Sequence, residues 1–418
     1  MPILMVITGF LWLGSKAVSV WPSGLTQIAQ ITALGGVVML SWQYVLATRL
    51  PFLERWYWGF DRMYRYHHKL GIFALTLLAI HPTLMVLTRW WYGGWPVAAS
   101  FIFDWSFWPI VAGKLALLMF AILIVLAVLK LKYRQWKQIH QLMGWPLLFV
   151  LIHVATIYSD VADFEPLRWW VLGWIVVAIA AYTYKEIWVN MLVNKLPYRI
   201  VKISSRGALT EVWLRAQKMH LVFMPGQYAN FRFALGRNKW SEWFPFTISS
   251  TPDDELLRIS VKALGDFTQK MGGLRLKSKV EIDKPHGLMP EEFFVDRDVV
   301  MIGAGIGITP FLSMAKFETA YPRERKIDIF YIASDKKELY YDKEIGSLAA
   351  ENKNITYTAC LTKKGRPELG DLLAKVGSWQ KAKYLLCGPT AMMRGMKKQL
   401  VDRGVKPGMV FFEDFSYK

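Results

Sequence analysis

The sequence predicts a multidomain chain: a six-helix membrane bundle, then an antiparallel β-barrel, then an α/β domain. Three features of the 418 residues predict it. Nearly all the long apolar runs fall in roughly the first 190 residues. From about Tyr198 the text turns to short alternating runs separated by turn residues. At Val299 a run of buried-strand character opens onto a Gly-rich turn and a helix. The corresponding domains are 1–195, 196–297 and 298–418.

Six apolar spans are read at about 2–19, 27–48, 67–90, 107–130, 139–158 and 168–187, the first being short. Arg49, Arg55, Arg62, Arg65 and Lys69 follow the second span, and Lys130, Lys132, Arg134 and Lys137 follow the fourth. The alternate loops hold mainly Lys16, Arg89 and Arg168, beside Asp104, Asp160, Asp163 and Glu165. The positive-inside rule therefore puts both termini in the cytosol. A basic n-region followed by a cleavage site is lacking, so the first span is read as retained, in an integral membrane protein. Topology accounts for much of the net charge of +19, and no nucleic-acid motif accompanies it. The two cysteines, Cys360 and Cys387, exclude a disulfide framework and a cysteine metal knot.

Four histidines sit inside these apolar segments. His67 and His81 are 14 residues apart, about 21 Å and four turns of helix, so they share a face. His140 and His153 are 13 apart, which on an ideal helix turns one ring about 140° from the other. Gly144 and Pro146 lie between them and supply a distortion. Any one of the four reads equally well as a satisfied core residue. Together they read as iron ligands, because ionisable groups in a membrane are costly and neutral imidazole binds iron. The expectation is two stacked haems: His67 with His140 near the cytosolic face, His81 with His153 toward the outer one. Without a C-x-x-C-H site these are b-type. His68 is 13 residues from His81; it faces away and belongs with Lys69 at the helix end.

The runs VKIS, EVWLRA, YANFRF, FTISS and LRISVKA predict the barrel, and VVMIGAG, KIDIFYIAS, NITYTAC and AKYLLCG the strands of the α/β domain. Gly303-Ala304-Gly305-Ile306-Gly307-Ile308-Thr309-Pro310 follows a strand and opens a helix. In that setting backbone N–H groups at a helix N-terminus receive a pyrophosphate. The motif departs from G-x-G-x-x-G because Gly307 comes one residue early, and alone it reads as well as a tight strand–helix turn. Pro310 marks the first helical turn.

Two further motifs, Phe244-Pro245-Phe246-Thr247 in the barrel and Cys387-Gly388-Pro389 after a late strand, complete an order. Barrel, FPFT, GAGIGITP and CGP together resemble the ferredoxin–NADP reductase superfamily. With six spans and histidine intervals of 14 and 13, nearly the whole chain resembles the NADPH oxidase and ferric reductase superfamily, most closely its prokaryotic NADPH oxidases. The resemblance implies FAD, two haem b groups and NADPH, with NADH tolerated. It puts the Phe246 ring against the flavin and the Thr247 hydroxyl near the reactive N5, with Pro245 beside them. It makes Lys262 to Thr268, including Gly265, Asp266 and Phe267, a second flavin site where a helix N-terminus meets the FAD pyrophosphate. Gln227 and Tyr228 belong to the preceding barrel signature, Pro225-Gly226-Gln227-Tyr228. Gly303, Ala304, Gly305, Gly307, Thr309 and Pro310, with Cys387, Gly388 and Pro389, are assigned to the nicotinamide nucleotide. Glu413-Asp414-Phe415 resembles the family's E-x-F ending; Glu413, Cys387 and Thr247 are catalytic, and Phe415 covers the flavin, with Tyr417 as its rival. Phe244 stands where the family usually has His or Arg, which leaves the FAD phosphates to Lys262 or helix dipoles and implies exchangeable FAD.

Ser334, Asp335, Lys336 and Lys337 follow the second α/β strand, and Lys363, Lys364 and Arg366 add positive charge, so the reading leans to NADPH. Lys114 lies near the depth of His81, either snorkelling outward or, with Arg89, pairing with a haem propionate. The implied function is transfer of electrons from cytosolic NAD(P)H through FAD and the haems to oxygen on the outer side, giving superoxide. A ferric-chelate reductase on the same scaffold and a membrane-anchored flavin reductase serving a partner protein are the alternatives. The expected partners are NAD(P)H, oxygen and the lipid bilayer; no regulatory partner is evident in the sequence.

Overall fold

The computed structural model describes residues 1–16, 24–129, 131, 133–192, 195–365 and 368–413. The chain divides into two compact units, 1–193 and 194–418.

The first unit is helical: α1 Pro2–Ser15, α2 Gly24–Ala47, α3 Pro51–Tyr57, α4 Phe60–Phe103, α5 Trp108–Val128, α6 Tyr133–Gln141, α7 Pro146–Thr156, α8 Asp160–Asp163 and α9 Glu165–Thr183. Among the described residues, five segments are long and apolar enough to cross a membrane, and α1 is apolar but shorter. At 14 residues it reaches about 21 Å, less than the roughly 30 Å of a hydrocarbon core. Leu34 and Leu40 of α2, Ala74 of α4, Phe120 of α5, Leu147 of α7 and Ile175 of α9 form the shared core.

Two spans differ from the sequence reading. The third continues past residue 90 to Phe103, because the Trp-rich stretch stays helical until Gly94, where φ is +67°, and Pro96 opens a second segment. The sixth runs on through a π-helical stretch, Tyr184–Leu192. The expected distortion of the fifth is present: a 3₁₀ turn, Leu142–Gly144, separates α6 from α7, which Pro146 opens. Three residues advancing about 120° each instead of about 100° cut the offset between His140 and His153 from about 140° to about 80°.

Lys16 caps the C-terminus of α1 and forms a buried ion pair with Asp160, in the first turn of α8. Each charge faces the helix end that favours it. The Lys16 ammonium also donates to Gln30 Oε1 at 2.9 Å.

The second unit contains both the barrel and the α/β domain. Strands β1 Leu196–Arg206, β2 Leu209–Ala216, β3 Tyr228–Gly236, β4 Lys239–Trp240, β5 Phe244–Thr247, β6 Leu257–Lys262 and β7 Lys279–Ile282 form a curled antiparallel sheet. Its order is β4-β3-β7-β1-β2-β6, with β5 on β3 and an Ile248–Ile259 bridge to β6. After α10, Met289–Phe293, comes a parallel sheet of β8 Val299–Ala304, β9 Ile327–Ala333, β10 Ile355–Leu361, β11 Lys383–Cys387 and β12 Val410–Phe412, in the order β10-β9-β8-β11-β12. Helices α11 Thr309–Ala320, α12 Asp342–Glu351, α13 Leu369–Leu373 and α14 Thr390–Asp402 connect these strands. Chain direction across the sheet reverses at β8, and Gly303 pairs with Cys387 there. Open α/β sheets bind their ligands at such a switch point.

A polar clamp joins the two sheets. Arg258 of β6 donates to both carboxylate oxygens of Glu344 in α12, at 3.1 and 2.8 Å. The Tyr341 hydroxyl reaches Glu211 of β2 at 3.2 Å, and Ser313 of α11 donates to the Ser250 carbonyl at 2.6 Å. Burial acts to lower the Arg258 pKa, but the Glu344 carboxylate holds it above the ordinary value.

Candidate redox sites

In the helical unit the His67 and His140 rings lie edge to face with centroids 6.2 Å apart. Two metal–imidazole bonds of about 2 Å and two ring radii of about 1.1 Å sum to about 6 Å. The spacing therefore suits one iron between them. Trp136 stacks flat on His140, 4.9 Å between centroids and 9° from parallel, and fixes the plane of that ring.

The other pair is held through the nitrogen not needed for iron. His81 Nδ1 is 2.9 Å from the Ala29 carbonyl oxygen, and His153 Nδ1 is 2.8 Å from that of Pro109. A carbonyl oxygen only accepts, so in the neutral ring the proton sits on Nδ1 and the Nε2 lone pair is free. Metal-binding histidines are oriented in this way. His153 can pack on α5 because residue 113 is glycine: a Cβ there would fall 2.9 Å from Nδ1 and 3.0 Å from Cε1. Among the described residues no group of three or more His, Cys, Asp or Glu could hold a bare metal ion. Paired imidazoles instead suit a macrocycle that brings its own four nitrogens.

His68 is exposed. Lys114 Nζ donates to the Asp104 carbonyl at 2.5 Å and lies 5.2 Å from the Trp105 ring, the snorkelling arrangement of the two considered. The Arg89 guanidinium sits 3.7 Å over Phe101.

In the second unit, β5 pairs with β3 so that Thr247 faces Tyr228 and Phe246 faces Ala229. Phe244 stacks on Phe267 at 4.6 Å, 2° from parallel, and Phe246 lies 6.1 Å from Phe244. The residue that departs from the family pattern thus finds an aromatic partner within the Lys262–Thr268 segment. The expected helix N-terminus there needs correction. Only a six-residue 3₁₀ helix, Thr268–Gly273, follows, and Thr268 Oγ1 already accepts the Leu264 and Gly265 N–H groups at 3.0 and 2.9 Å. Lys262 Nζ lies 3.9 Å from Glu338, and Asp266 is exposed, as is Pro245. Gln227 shapes the preceding turn: Oε1 accepts from Met224 N at 2.9 Å, and Nε2 donates to the Gly287 carbonyl at 3.4 Å.

At the parallel sheet, Gly303 and Ala304 close β8, a 3₁₀ turn from Gly305 to Ile308 follows, and Thr309 and Pro310 open α11. Ala304 is half-buried at the mouth of the turn, and Gly305 adopts φ +55°. Gly307 packs on the other motif: a Cβ there would lie 2.4 Å from the Cys387 carbonyl oxygen and 2.8 Å from Gly388 N. Pro389 caps α14.

Glu413, just after β12, accepts from the Leu288 and Met289 N–H groups at 2.6 and 3.2 Å. Burial pushes the Cys387 thiol up to about 12, and the Glu413 charge adds to the shift. Cys387 therefore remains a protonated thiol. A Cβ at Gly287, where φ is +106°, would touch both Glu413 Oε1 at 3.0 Å and Tyr228 at 3.4 Å. Thr247, Tyr228, Gly287, Glu413 and Cys387 thereby form one linked series across the two sheets.

Asp335 caps its turn by accepting from Lys337 N at 2.8 Å and pairs with Lys363 at 2.8 Å, which holds its carboxyl below the usual range. The expectations for Phe415, Asp414, Tyr417, Arg366, Lys130 and Lys132 lie outside the described residues, as do the side chains of Lys364 and Arg134. Trp136, Gly113 and the capping role of Thr268 went unread in the sequence; only Trp136, one turn before His140, carried a local signal.

Residues 32–152 match the family described as ferric reductase like transmembrane component, 194–297 the FAD-binding domain and 301–398 the oxidoreductase NAD-binding domain. A superoxide-generating NADPH oxidase heavy chain of Dictyostelium discoideum is 27% identical over 219 residues, 46% of this chain and 41% of that protein. NADPH oxidase 1 of Rattus norvegicus is 26% identical over 178 residues, 38% of this chain and 29% of that protein. The chain belongs to the NADPH oxidase/ferric reductase superfamily. It spans well under half the length of these two relatives. It carries a ferric reductase-like membrane region and a ferredoxin–NADP reductase-like FAD/NAD module. A solved flavohemoglobin from Malassezia yamatoensis shares the fold at a TM-score of 0.51 and 17% identity, over 74% of this chain and 84% of that one.

Proposed function

We propose that this NADPH oxidase relative carries electrons from cytosolic NAD(P)H through FAD and two haem b groups to molecular oxygen on the outer side, releasing superoxide. The observation that carries the reading is the pair of Nδ1–carbonyl bonds at His81 and His153, which leave both Nε2 atoms free for iron. The flavin, when bound, converts a hydride into single electrons that the haems relay.

The chain's own residues position these groups. His67 with His140, and His81 with His153, hold iron at two depths. The turn from Gly303 to Pro310, closed on Cys387, Gly388 and Pro389, cradles the nicotinamide nucleotide at the switch point. Thr247 offers its hydroxyl to the flavin, whose face Phe246 covers, and Gln227, Tyr228 and the Lys262–Thr268 segment frame the barrel side. Cys387 stays neutral beside the reacting ring, and Glu413, fixed by two backbone amides, supplies the fixed charge there. Phe415 gates the flavin. The Lys363 charge offsets Asp335, which favours NADPH while tolerating NADH. The proposed domains are 1–195, 196–297 and 298–418, in a bacterial inner membrane with both termini cytosolic.

Purified protein should show a six-coordinate low-spin b-type spectrum with two haems per chain. His81→Ala should remove one haem and stop delivery to an impermeant external acceptor. A wild-type rate in that variant contradicts the electron order, and a wild type without a Soret band contradicts the haem assignment.

A further inference from the structure

Three of the four histidines are oriented by backbone carbonyls or by a stacked ring; His67 alone meets a buried side-chain amide. Gln43, on α2, is 5% exposed. One end of its amide lies 2.8 Å from the His67 carbonyl oxygen and 2.9 Å from His67 Nδ1, and the other end lies 3.2 Å from the Gly71 N–H. Gly71 and His67 are four residues apart, so the amide lies across one i to i−4 rung of α4. All three contacts are satisfied when the nitrogen faces His67 and the oxygen accepts from Gly71.

That orientation makes Nδ1 of His67 an acceptor and places the neutral ring's proton on Nε2. His81 and His153 hold the opposite tautomer, with Nδ1 donating. A neutral imidazole can bind iron through Nε2 only with its proton on Nδ1. Nδ1–H would then face the Gln43 NH₂ group, two donors against each other.

We propose that Gln43 is a positioning residue for His67 whose amide has two orientations, exchanged by a half-turn about its terminal bond. With Nε2 free, nitrogen faces the imidazole; with iron on Nε2, oxygen faces it and accepts from Nδ1–H. The half-turn gives up the contacts to the His67 carbonyl and the Gly71 N–H, so ligation at His67 works against a local cost that His81 and His153 do not carry. The bond gained makes His67 a more basic ligand. This inference rests on the haem assignment above.

The test uses full-length purified protein with Gln43→Leu and Gln43→Glu. Leucine removes the acceptor at similar volume, whereas glutamate offers an oxygen to Nδ1–H whether or not it is ionised. In Gln43→Leu the midpoint potential and low-spin EPR signal of one haem should shift, the potential upward because the ligand becomes less basic, while the other haem is unmoved. Loss of that one haem alone supports the inference equally, provided Gln43→Glu retains both. Two haems with unchanged potentials and EPR signals in Gln43→Leu overturn it and leave the haem assignment standing. Equal loss of one haem in both variants assigns Gln43 to packing and overturns it too. A wild type with no haem overturns the assignment and the inference together.

Discussion

Gly113→Ala puts one methyl group against the face of His153, a proposed haem ligand, and the structure gives the size of the effect. The new Cβ would lie 2.9 Å from His153 Nδ1, 3.0 Å from Cε1 and 3.2 Å from Cγ. These distances are about 0.5 Å inside van der Waals contact, so the imidazole must swing away from α5. Overpacking of this kind costs about 1–3 kcal/mol. The swing also stretches the 2.8 Å contact from Nδ1 to the Pro109 carbonyl, a hydrogen bond worth about 1 kcal/mol. Together they predict a loss of about 2–4 kcal/mol at one site, roughly 30- to 1,000-fold in haem affinity. The three atoms nearest to that Cβ all belong to His153, so the other pair should keep its haem. Pyridine haemochrome stoichiometry on purified protein, with a redox titration, should show about one haem per chain against two in the wild type. Two haems with unchanged midpoints in Gly113→Ala would refute the placement of His153 as a ligand.

Three further outcomes follow from the packing. In Gly307→Ala the added methyl meets the Cys387–Gly388 peptide, 2.4 Å from the Cys387 carbonyl oxygen; about 1–3 kcal/mol of strain should raise the Kd for NADPH roughly 5- to 150-fold while haem content stays unchanged. Lys16→Met leaves Asp160 buried without its cation, and breaking such a pair costs about 3–5 kcal/mol, read as a lower unfolding temperature of the full chain in detergent. Glu318 is buried, and although burial acts to raise its pKa, its bonds to Arg325 and Arg323 hold it below the ordinary glutamate value. The stability it contributes should be full above that ordinary value and vanish as pH falls through the depressed one, so the melting difference between wild type and Glu318→Gln should shrink in acid.

Features that repeat along the chain were legible in the sequence. The long spans, the alternating strands and the histidine intervals follow from periodicity, the Gly303–Pro310 turn was read from its glycines between a strand and a helix, and Gly144 with Pro146 announced the distortion between α6 and α7. Strand β7 has four residues and β12 has three, too few for alternation to register. The extension of α4 was hidden because tryptophans beside glycines read as a membrane interface. Contacts between helices left no local trace. Gln43 reads as one polar residue in an apolar helix, and Gly113 as a small residue in another, until α2 meets α4 and α5 meets α7. The correction at Lys262–Thr268 has a similar origin, since the segment read as leading into a helix N-terminus, yet the Thr268 hydroxyl accepts from two of its own nearby amides.

The central claim is that electrons entering from NAD(P)H leave as superoxide, and cytochrome c reduction by purified protein in proteoliposomes tests it most directly. With FAD present and NADPH supplied to the reductase domain, the account predicts a signal in air that superoxide dismutase abolishes and that His81→Ala lacks. Haems that NADPH reduces without any dismutase-sensitive product in air, while a ferric chelate is reduced instead, would contradict it.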